Sequence, residues 1–277
     1  MALYINTNVA SEQAQKNLNG NQANLMTSFA RLSSGLRINS AKDDAAGLAI
    51  SESLKSQIRS FNVAERNAGD GISMAQTAEG SLGEVHGILG RMRELATQAA
   101  NGSITSTDRE FLQTEFSSLQ TEIGRIQGSA KFNGLALVGA TSSTIKLQVG
   151  LNDDANDQID VTLGGVALTS ISTNSGASLS GTSASAALAA LSTIDDAIAS
   201  VSTSRAGFGV AMNRLEVAQS GIQTMRLNLS AANARIRDVD VASETASLSR
   251  NQVLTQAGIS VLAQANQLPQ LAFGLLQ

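Results

Sequence analysis

The fold is decided by the last 27 residues, 251–277, which read NQVLTQAGISVLAQANQLPQLAFGLLQ. The stretch has no charged side chain, yet six of its residues are glutamine. Its apolar residues recur every three or four positions and therefore lie in one stripe along a helix. Such a stripe has to be buried, and amides are costly within lipid, which argues against a membrane partner. We therefore expect it to be buried among other copies of the chain.

The first 30 residues have the same character, because Glu12 and Lys16 are their only charged side chains. A second helical stripe runs along this segment, and two sparsely charged helices at opposite ends of one chain favour pairing with each other and with neighbouring chains. Two core helices of an ordinary monomer are the alternative. No basic segment followed by an apolar run is visible, so we expect no cleavable secretory signal. The predicted subunit-packing residues are Leu18, Leu25, Phe29, Leu32, Leu254, Val261, Leu268 and Leu275.

The composition argues against several classes of function. The chain has 277 residues, no cysteine and a single histidine, His86, so it offers neither a disulfide framework nor two histidines for a zinc site. A net charge of −4 and a pI near 5.1 argue against a nucleic-acid partner. The aspartates of 153–160 lack the glycine and glutamate of an EF-hand loop. We expect no enzyme activity, no cofactor and no metal.

The central chain carries two long seams of the coiled-coil type, at 68–99 and 208–232, with apolar steps of three and four. Thr107 and Glu110 have the spacing of a capping box and predict the start of a third helix. A further stripe at 188–201 is expected to run into the second seam. Six glycines weaken the first seam, at about 0.5–1 kcal/mol each relative to alanine, unless close contacts require them: Gly69, Gly71, Gly80, Gly83, Gly87 and Gly90.

A short β region interrupts the helices. Residues 145–149 and 159–163 alternate apolar and polar side chains, which predicts a β hairpin near 144–164. A segment rich in serine and threonine near 169–185 is expected to be a surface loop. The predicted fold class is mainly α, an elongated antiparallel helical bundle with a terminal coiled-coil layer and a small β-hairpin region. The predicted domains are a terminal inner domain, 1–42 with 238–277, and a helical-bundle outer domain, 43–237.

Five stretches of this sequence resemble bacterial flagellin, in the order in which that family has them. They cover both terminal thirds of the chain, and the large variable outer domains that many flagellins carry are missing, so the resemblance is to a minimal flagellin. The stretches read LSSGLRINSAKDDAAGLAI at 32–50, NAGDGISMAQTAEG at 67–80, RMRELATQAAN at 91–101, KFNG at 131–134 and SRNQVLTQAGISVLAQANQLPQ at 249–270.

The resemblance implies a structural subunit of the flagellar filament, exported unfolded through the flagellar type III apparatus and polymerising outside the cell into a helical filament. Its implied partners are further copies of the chain, an export chaperone, the filament cap, the hook-junction proteins and a vertebrate innate immune receptor. Arg91, Leu95 and Glu115 match positions where flagellins contact that receptor. Their primary role is expected to be filament contact.

Three alternatives stay open beside the filament subunit. The hook–filament junction protein of the same family shares the terminal layers, although the QANQLPQ tail and the KDDAAGLAI run favour the filament subunit. A flagellin with an inserted zinc protease would need two nearby histidines, and this chain has one. A helical adhesin or immune ligand that does not polymerise is the third.

Overall fold

The computed structural model of the chain describes residues 7–166, 168, 171, 177–181 and 184–274, of which 268–274 are described by their backbone alone. The chain divides into two compact units. The first, here named the terminal unit, is Met1–Gln57 with Asn228–Gln277, and the second, the central unit, is Ile58–Leu227. Within the described residues, no helix has the length and apolar character needed to cross a membrane.

Long helices dominate the described chain, and the prediction of a mainly α protein with a small β hairpin is confirmed. Helices α2 and α4 each have residues in both units. The elements in chain order are α1 (Val9–Ser34), α2 (Ala45–Ala99), α3 (Ser106–Ser129), β1 (Lys131–Phe132), β2 (Leu135–Ala136), β3 (Ser143–Gln148), a 3₁₀ turn (Ala155–Asp157), β4 (Gln158–Leu163), α4 (Ser185–Arg237) and α5 (Val241–Gly274).

The core of the central unit lies along the predicted seam of α2. From Ala68 to Ala99 every seam position is fully buried except Ile72, which is half-buried. The second seam and the stripe before it form one helix, α4, as predicted. Helices α2 and α4 run antiparallel. Residues progressively later in α4 pair with residues progressively earlier in α2. Three ion pairs show this: Arg93–Asp195 (2.7 Å), Glu79–Arg205 (2.5 Å) and Glu65–Arg226 (2.8 Å).

Of the six glycines in the α2 seam, one is required by packing. A Cβ at Gly71 would overlap Leu147 of β3 and lie 3.1 Å from Leu215 of α4, so this glycine lets the hairpin and α4 approach the helix. A Cβ at any of the other five would meet no atom within 4 Å. The expectation that close contacts offset these glycines therefore holds within the chain at Gly71 alone.

Strands β3 and β4 pair antiparallel, with Ile145 opposite Val161, and confirm the predicted hairpin. The side chain of Asn67 donates to the Gln148 carbonyl at 3.0 Å and joins β3 to α2. The connection that follows β4 turns at Gly164, whose φ of +68° favours glycine. Sequence patterns missed the smaller hairpin β1–β2, which has only two residues in each strand.

Helix α3 begins two residues before the predicted position. The capping box is Thr105 with Asp108, not Thr107 with Glu110, because the Thr105 hydroxyl donates to the Asp108 carboxylate at 2.7 Å and accepts from the Asp108 N–H at 3.3 Å. The next residue, Arg109, is buried and donates to the carbonyls of Ala99 and Asn101 at 2.9 and 3.1 Å. Arg109 thereby caps the end of α2, where a cation is favoured by the helix dipole.

Part of the serine- and threonine-rich segment near 169–185 is core rather than surface loop. Residues Ala177 and Leu179 are buried, and two glutamines of α3 hold this part of the segment. Gln120 donates to the Ala177 carbonyl at 3.1 Å, and the side-chain oxygen of Gln113 accepts from the Leu179 N–H at 2.5 Å. The rest of the prediction lies outside the described residues at 169, 170, 172–176, 182 and 183.

Two variants distinguish the observed capping box, Thr105 with Asp108, from the one predicted from the sequence, Thr107 with Glu110. Thr105→Ala is expected to lower the unfolding free energy by about 1 kcal/mol at neutral pH, whereas Thr107→Ala changes it little. Hydrogen bonds from the Thr105 hydroxyl and backbone N–H lower the pKa of Asp108. The stability contributed by the ionised Asp108 carboxylate is present above its unfolded pKa and is lost as the pH falls through its folded pKa. The effect of Thr105→Ala therefore shrinks in acid.

Urea unfolding of both variants across this pH range measures the difference. A larger loss of stability for Thr107→Ala than for Thr105→Ala would restore the position predicted from the sequence.

Candidate functional site

The terminal helices α1 and α5 pack against each other along an antiparallel seam. Leu18 approaches α5 at Gly258, where a Cβ would lie only 3.3 Å from its Cδ1 atom. The described polar contacts between the two helices are mostly uncharged, which suits helices with so few charged residues. In the order of α1 the polar contacts are Asn8 Nδ2 to Ala265 O (2.8 Å), Ser11 Oγ to Asn266 Oδ1 (2.7 Å) and Arg31 Nη1 to Glu244 Oε2 (3.6 Å).

The seam is closed at one end by backbone pairing between segments about 200 residues apart. Helix α1 ends at Gly35 in the left-handed conformation, φ +71°, and the next residue, Leu36, forms an isolated antiparallel bridge with Asp238. The Arg37 N–H donates to the Arg237 carbonyl at 2.6 Å, and the Val239 N–H donates to the Gly35 carbonyl at 3.1 Å. These bonds tie the end of α1 to the start of α5.

The predicted subunit-packing residues divide between the seam and the outer sides of the pair. Leu18, Leu25 and Leu32 are half-buried. Phe29 is 50% exposed, and Leu254 and Val261 are 44% and 56% exposed. Leu268 lies on the described backbone of α5, whereas its side chain and the whole of Leu275 lie outside the described residues.

The α5 stripe read from the sequence is therefore not the side that faces α1. Of the described stripe residues only Ala265 is buried, while the half-buried positions Thr255, Gly258 and Leu262 mark the seam beside it. From residue 251 onward, two neighbouring sides of α5 are thus free of charge, one against α1 and one exposed. A helix with two apolar sides needs two packing partners.

Large apolar side chains are exposed all along this helix pair. Met26 and Phe29, three residues apart, share one side of α1. Exposed apolar surface of this extent on a helix pair is typical of a protein–protein contact. The exposed residues are Val9, Met26 and Phe29 on α1, and Val241, Val253, Leu254, Ile259 and Val261 on α5.

The three residues matched to the receptor contacts occupy different environments. Arg91 and Glu115 are exposed and form an ion pair between α2 and α3 at 2.9 Å. Hydrogen bonds to Glu94 and to Glu115 raise the pKa of the Arg91 guanidinium. Leu95, however, is 1% exposed. Leu95 is therefore a core residue of the central unit, and the prediction that it contacts a partner directly does not fit this structure.

The described residues bring few groups together that could perform chemistry. No three histidine, cysteine, aspartate or glutamate side chains among them lie together as a metal site requires. The acidic hairpin loop is held by its own hydrogen bonds: the Asp157 carboxylate accepts from the Asn152 N–H at 2.7 Å, and the Asp154 carboxylate accepts from the Asn156 N–H at 3.2 Å. The apolar helix pair is an extended feature of the described surface, and it is suited to association.

Sequence patterns missed the polar contacts that organise this association site. In the terminal unit the hydroxyl of the buried Ser51 on α2 donates to the side-chain oxygen of the half-buried Asn233 on α4 at 2.7 Å. Arg237 reaches Glu52 at 2.6 Å in the same unit. Both contacts join segments about 180 residues apart. Helical periodicity carries no signal for such pairs, because it reports on one segment at a time.

Fold and site together define a helical structural protein with an incompletely covered terminal helix pair. Two family models match the chain: the bacterial flagellin N-terminal helical region matches residues 5–143, and the bacterial flagellin C-terminal helical region matches residues 191–276. The chain belongs to the bacterial flagellin family. Only residues 144–190 separate the two matched regions, in agreement with the expected minimal form.

Similar proteins extend this result over the whole chain. A flagellin of Halalkalibacterium halodurans is 43% identical over 99% of this chain and 100% of its own length. The flagellar filament core protein FlaB2 of Brachyspira hyodysenteriae is 38% identical over 99% of this chain and 100% of its own length. A solved structure described as a flagellar hook-associated protein of Vibrio parahaemolyticus has a TM-score of 0.61 over 71% of this chain and 100% of its own, with 17% identity. That likeness concerns the fold alone.

The different environments of Leu95 and Arg91 lead to a stability prediction for the isolated chain. Leu95→Ala should lower the unfolding free energy by about 2–5 kcal/mol, because it leaves a cavity in the core. Arg91→Gln and Glu115→Gln should leave the unfolding midpoint nearly unchanged, since exposed ion pairs contribute little. Urea unfolding followed by circular dichroism measures all three. An unchanged midpoint for Leu95→Ala would contradict its place in the core.

Proposed function

We infer that this protein is a structural subunit of the bacterial flagellar filament. Its family supports this function, as do relatives described as flagellins and as a flagellar filament core protein that match along their full length. The junction-protein alternative is not favoured, because its support is a likeness of fold at 17% identity. An enzymatic role has no support from a family of structural proteins.

One observation carries the proposal: α1 and α5 share a narrow seam and expose apolar side chains beside it. Phe29, Leu254 and Val261 are each at least 44% exposed on helices that carry few charges. Further copies of the pair would cover these side chains, as in a multi-stranded coiled coil. The glutamines and asparagines of α5 can then bond to neighbouring copies or face a hydrated channel. The predicted packing residues, Leu268 and Leu275 included, belong to this layer.

Assembly and folding of the terminal segments are coupled in this account. A helix whose apolar side lacks a partner does not recover the entropy lost on ordering. We propose that residues near 1–40 and 238–277 are disordered in the monomer and fold as they join the filament. Mass action then links folding to polymerisation. Contacts between unlike surfaces of successive copies produce an open helical filament when their rotation does not close into a ring.

The place of action and the other partners follow from the resemblance to flagellins. The filament lies outside the cell, and a chain with disordered ends suits export in an unfolded state. An export chaperone, the filament cap and the hook-junction proteins are its proposed partners in that process. Arg91 and Glu115 are exposed and suit a contact with a neighbouring subunit or with an innate immune receptor, and Leu95 supports them from the core.

Seeded elongation tests this function. Purified chain is dissociated to monomer by heating, mixed with fragments of its own filaments and followed by light scattering and electron microscopy. Monomer is expected to add to the seeds above a critical concentration. The double variant Leu254→Asn with Val261→Asn should raise that concentration by about 10- to 100-fold, because two apolar side chains would be left poorly buried.

Gln256→Asn is the matched control, since Gln256 is an exposed amide on the same helix and the variant removes little apolar area. It should elongate like the parent chain. Failure of the parent chain to elongate under any salt condition would overturn the proposed function. Normal elongation of the double variant would overturn the role of these two side chains.

A further inference from the structure

Gly20 lies near the middle of α1, at a position where the packing of the described residues does not require a glycine. A Cβ at this position would meet no atom within 4 Å. Glycine within a helix costs about 0.5–1 kcal/mol relative to alanine, so the residue weakens α1, and no close contact among the described residues requires a glycine there. The residue before it is Asn19, which is exposed. An Asn–Gly pair is the dipeptide most open to deamidation, because glycine adds no side chain beside the reacting atoms and asparagine is a thermolabile residue.

The chain has three Asn–Gly pairs, and two of them lie in the central unit. Asn133 and Gly134 form the turn between β1 and β2, where their φ angles are +47° and +80° and are set by the hairpin. The Asn101 side chain is engaged, because its Oδ1 atom accepts from the Ser103 N–H at 3.2 Å. Of the three pairs, only Asn19–Gly20 lies in a segment that, in the proposed function, folds on assembly.

We propose that Asn19 is a spontaneous deamidation site that is open in the monomer and closed in the filament. The inference rests on the proposed function, in which α1 is disordered before assembly. In a disordered segment the Gly20 backbone nitrogen can attack Cγ of Asn19. The N–Cγ bond forms as the Cγ–Nδ2 bond breaks, and ammonia leaves with the Gly20 amide proton. Water then opens the cyclic imide at either carbonyl and gives aspartate or isoaspartate.

Helical structure blocks the first step of this reaction. In α1 the backbone of Gly20 is fixed in the helical conformation within the hydrogen-bonded ladder, so its nitrogen is held away from the Asn19 side chain. The rate of deamidation then depends on how often the helix opens. A helix packed in a filament opens rarely, whereas a disordered segment reacts without this barrier.

The new charge would lie on a surface that assembly needs. Asn19 precedes Met26 by seven residues and Phe29 by ten, so all three share one side of α1. Met26 and Phe29 are exposed apolar residues on that side. A carboxylate at position 19 would be desolvated beside them when a further copy packs there, which is costly for an unpaired charge. Aged monomer would therefore be excluded from the filament, and assembled subunits would be preserved.

The experiment compares one preparation in three states in the same mildly alkaline buffer: monomer, seeded filament, and chain unfolded in urea. Peptide mass spectrometry follows conversion of Asn19, Asn101 and Asn133 with time. Asn19 should convert in the monomer as fast as in urea, and about tenfold or more slowly in the filament. Asn133 should convert slowly in both folded states. Gly20→Ala should slow conversion of Asn19 in the monomer and still elongate on seeds, whereas Asn19→Asp should elongate poorly.

The outcomes separate this inference from the proposed function. If filaments form but Asn19 converts at one rate in monomer and filament, the inference is overturned and the filament function stands. Slow conversion in the monomer compared with urea overturns it as well, because α1 would then be folded before assembly. If the chain forms no filament, the proposed function is contradicted. The inference is then contradicted too, because it requires a filament in which Asn19 is protected. Normal elongation of Asn19→Asp would contradict the exclusion of aged monomer.

Discussion

The packing of α1 against α5 is the interaction on which the account depends. The two helices meet along a narrow seam, with Leu18 beside Gly258 and one ion pair, Arg31–Glu244, near its closed end. Isolated helices are marginal in water. The exposed side chains beside the seam carry apolar surface that the described residues of one chain leave uncovered. In the proposed function, other copies of the chain cover this surface and thereby stabilise the terminal segments.

The central unit has the opposite property. Its α2 seam is fully buried except at the half-buried Ile72, the hairpin β3–β4 packs on it at Gly71, and Arg109 caps the end of the helix from within the core. Antiparallel ion pairs between α2 and α4 set the register, although exposed pairs of this kind contribute little stability. A unit with such a core can be stable in the monomer. In the proposed function the terminal segments fold later, when they join the filament.

Much of this fold could be predicted from the sequence, and the failures have physical reasons. The α2 seam was predictable because one side alone is apolar. The seam of α5 was not, because two neighbouring sides are uncharged and the larger residues lie on the exposed one. The capping box was misplaced because Thr105–Asp108 and Thr107–Glu110 have the same spacing. Leu95 was predicted to be a contact residue from the resemblance to flagellins. It lies four residues after Arg91, which turns its side chain by about 40° around the helix axis at about 100° per residue, and Leu95 is buried where Arg91 is exposed.

Amide hydrogen exchange of α1 and α5, measured in monomer and in filament, tests the central claim most directly. The account predicts that amides of both helices exchange at nearly the rate of an unfolded chain in the monomer and become strongly protected in the filament. The buried part of α2 in the central unit should be protected in both states and serves as the reference. Strong protection of α1 and α5 in the monomer would contradict the account, because the pair would then be complete without other copies.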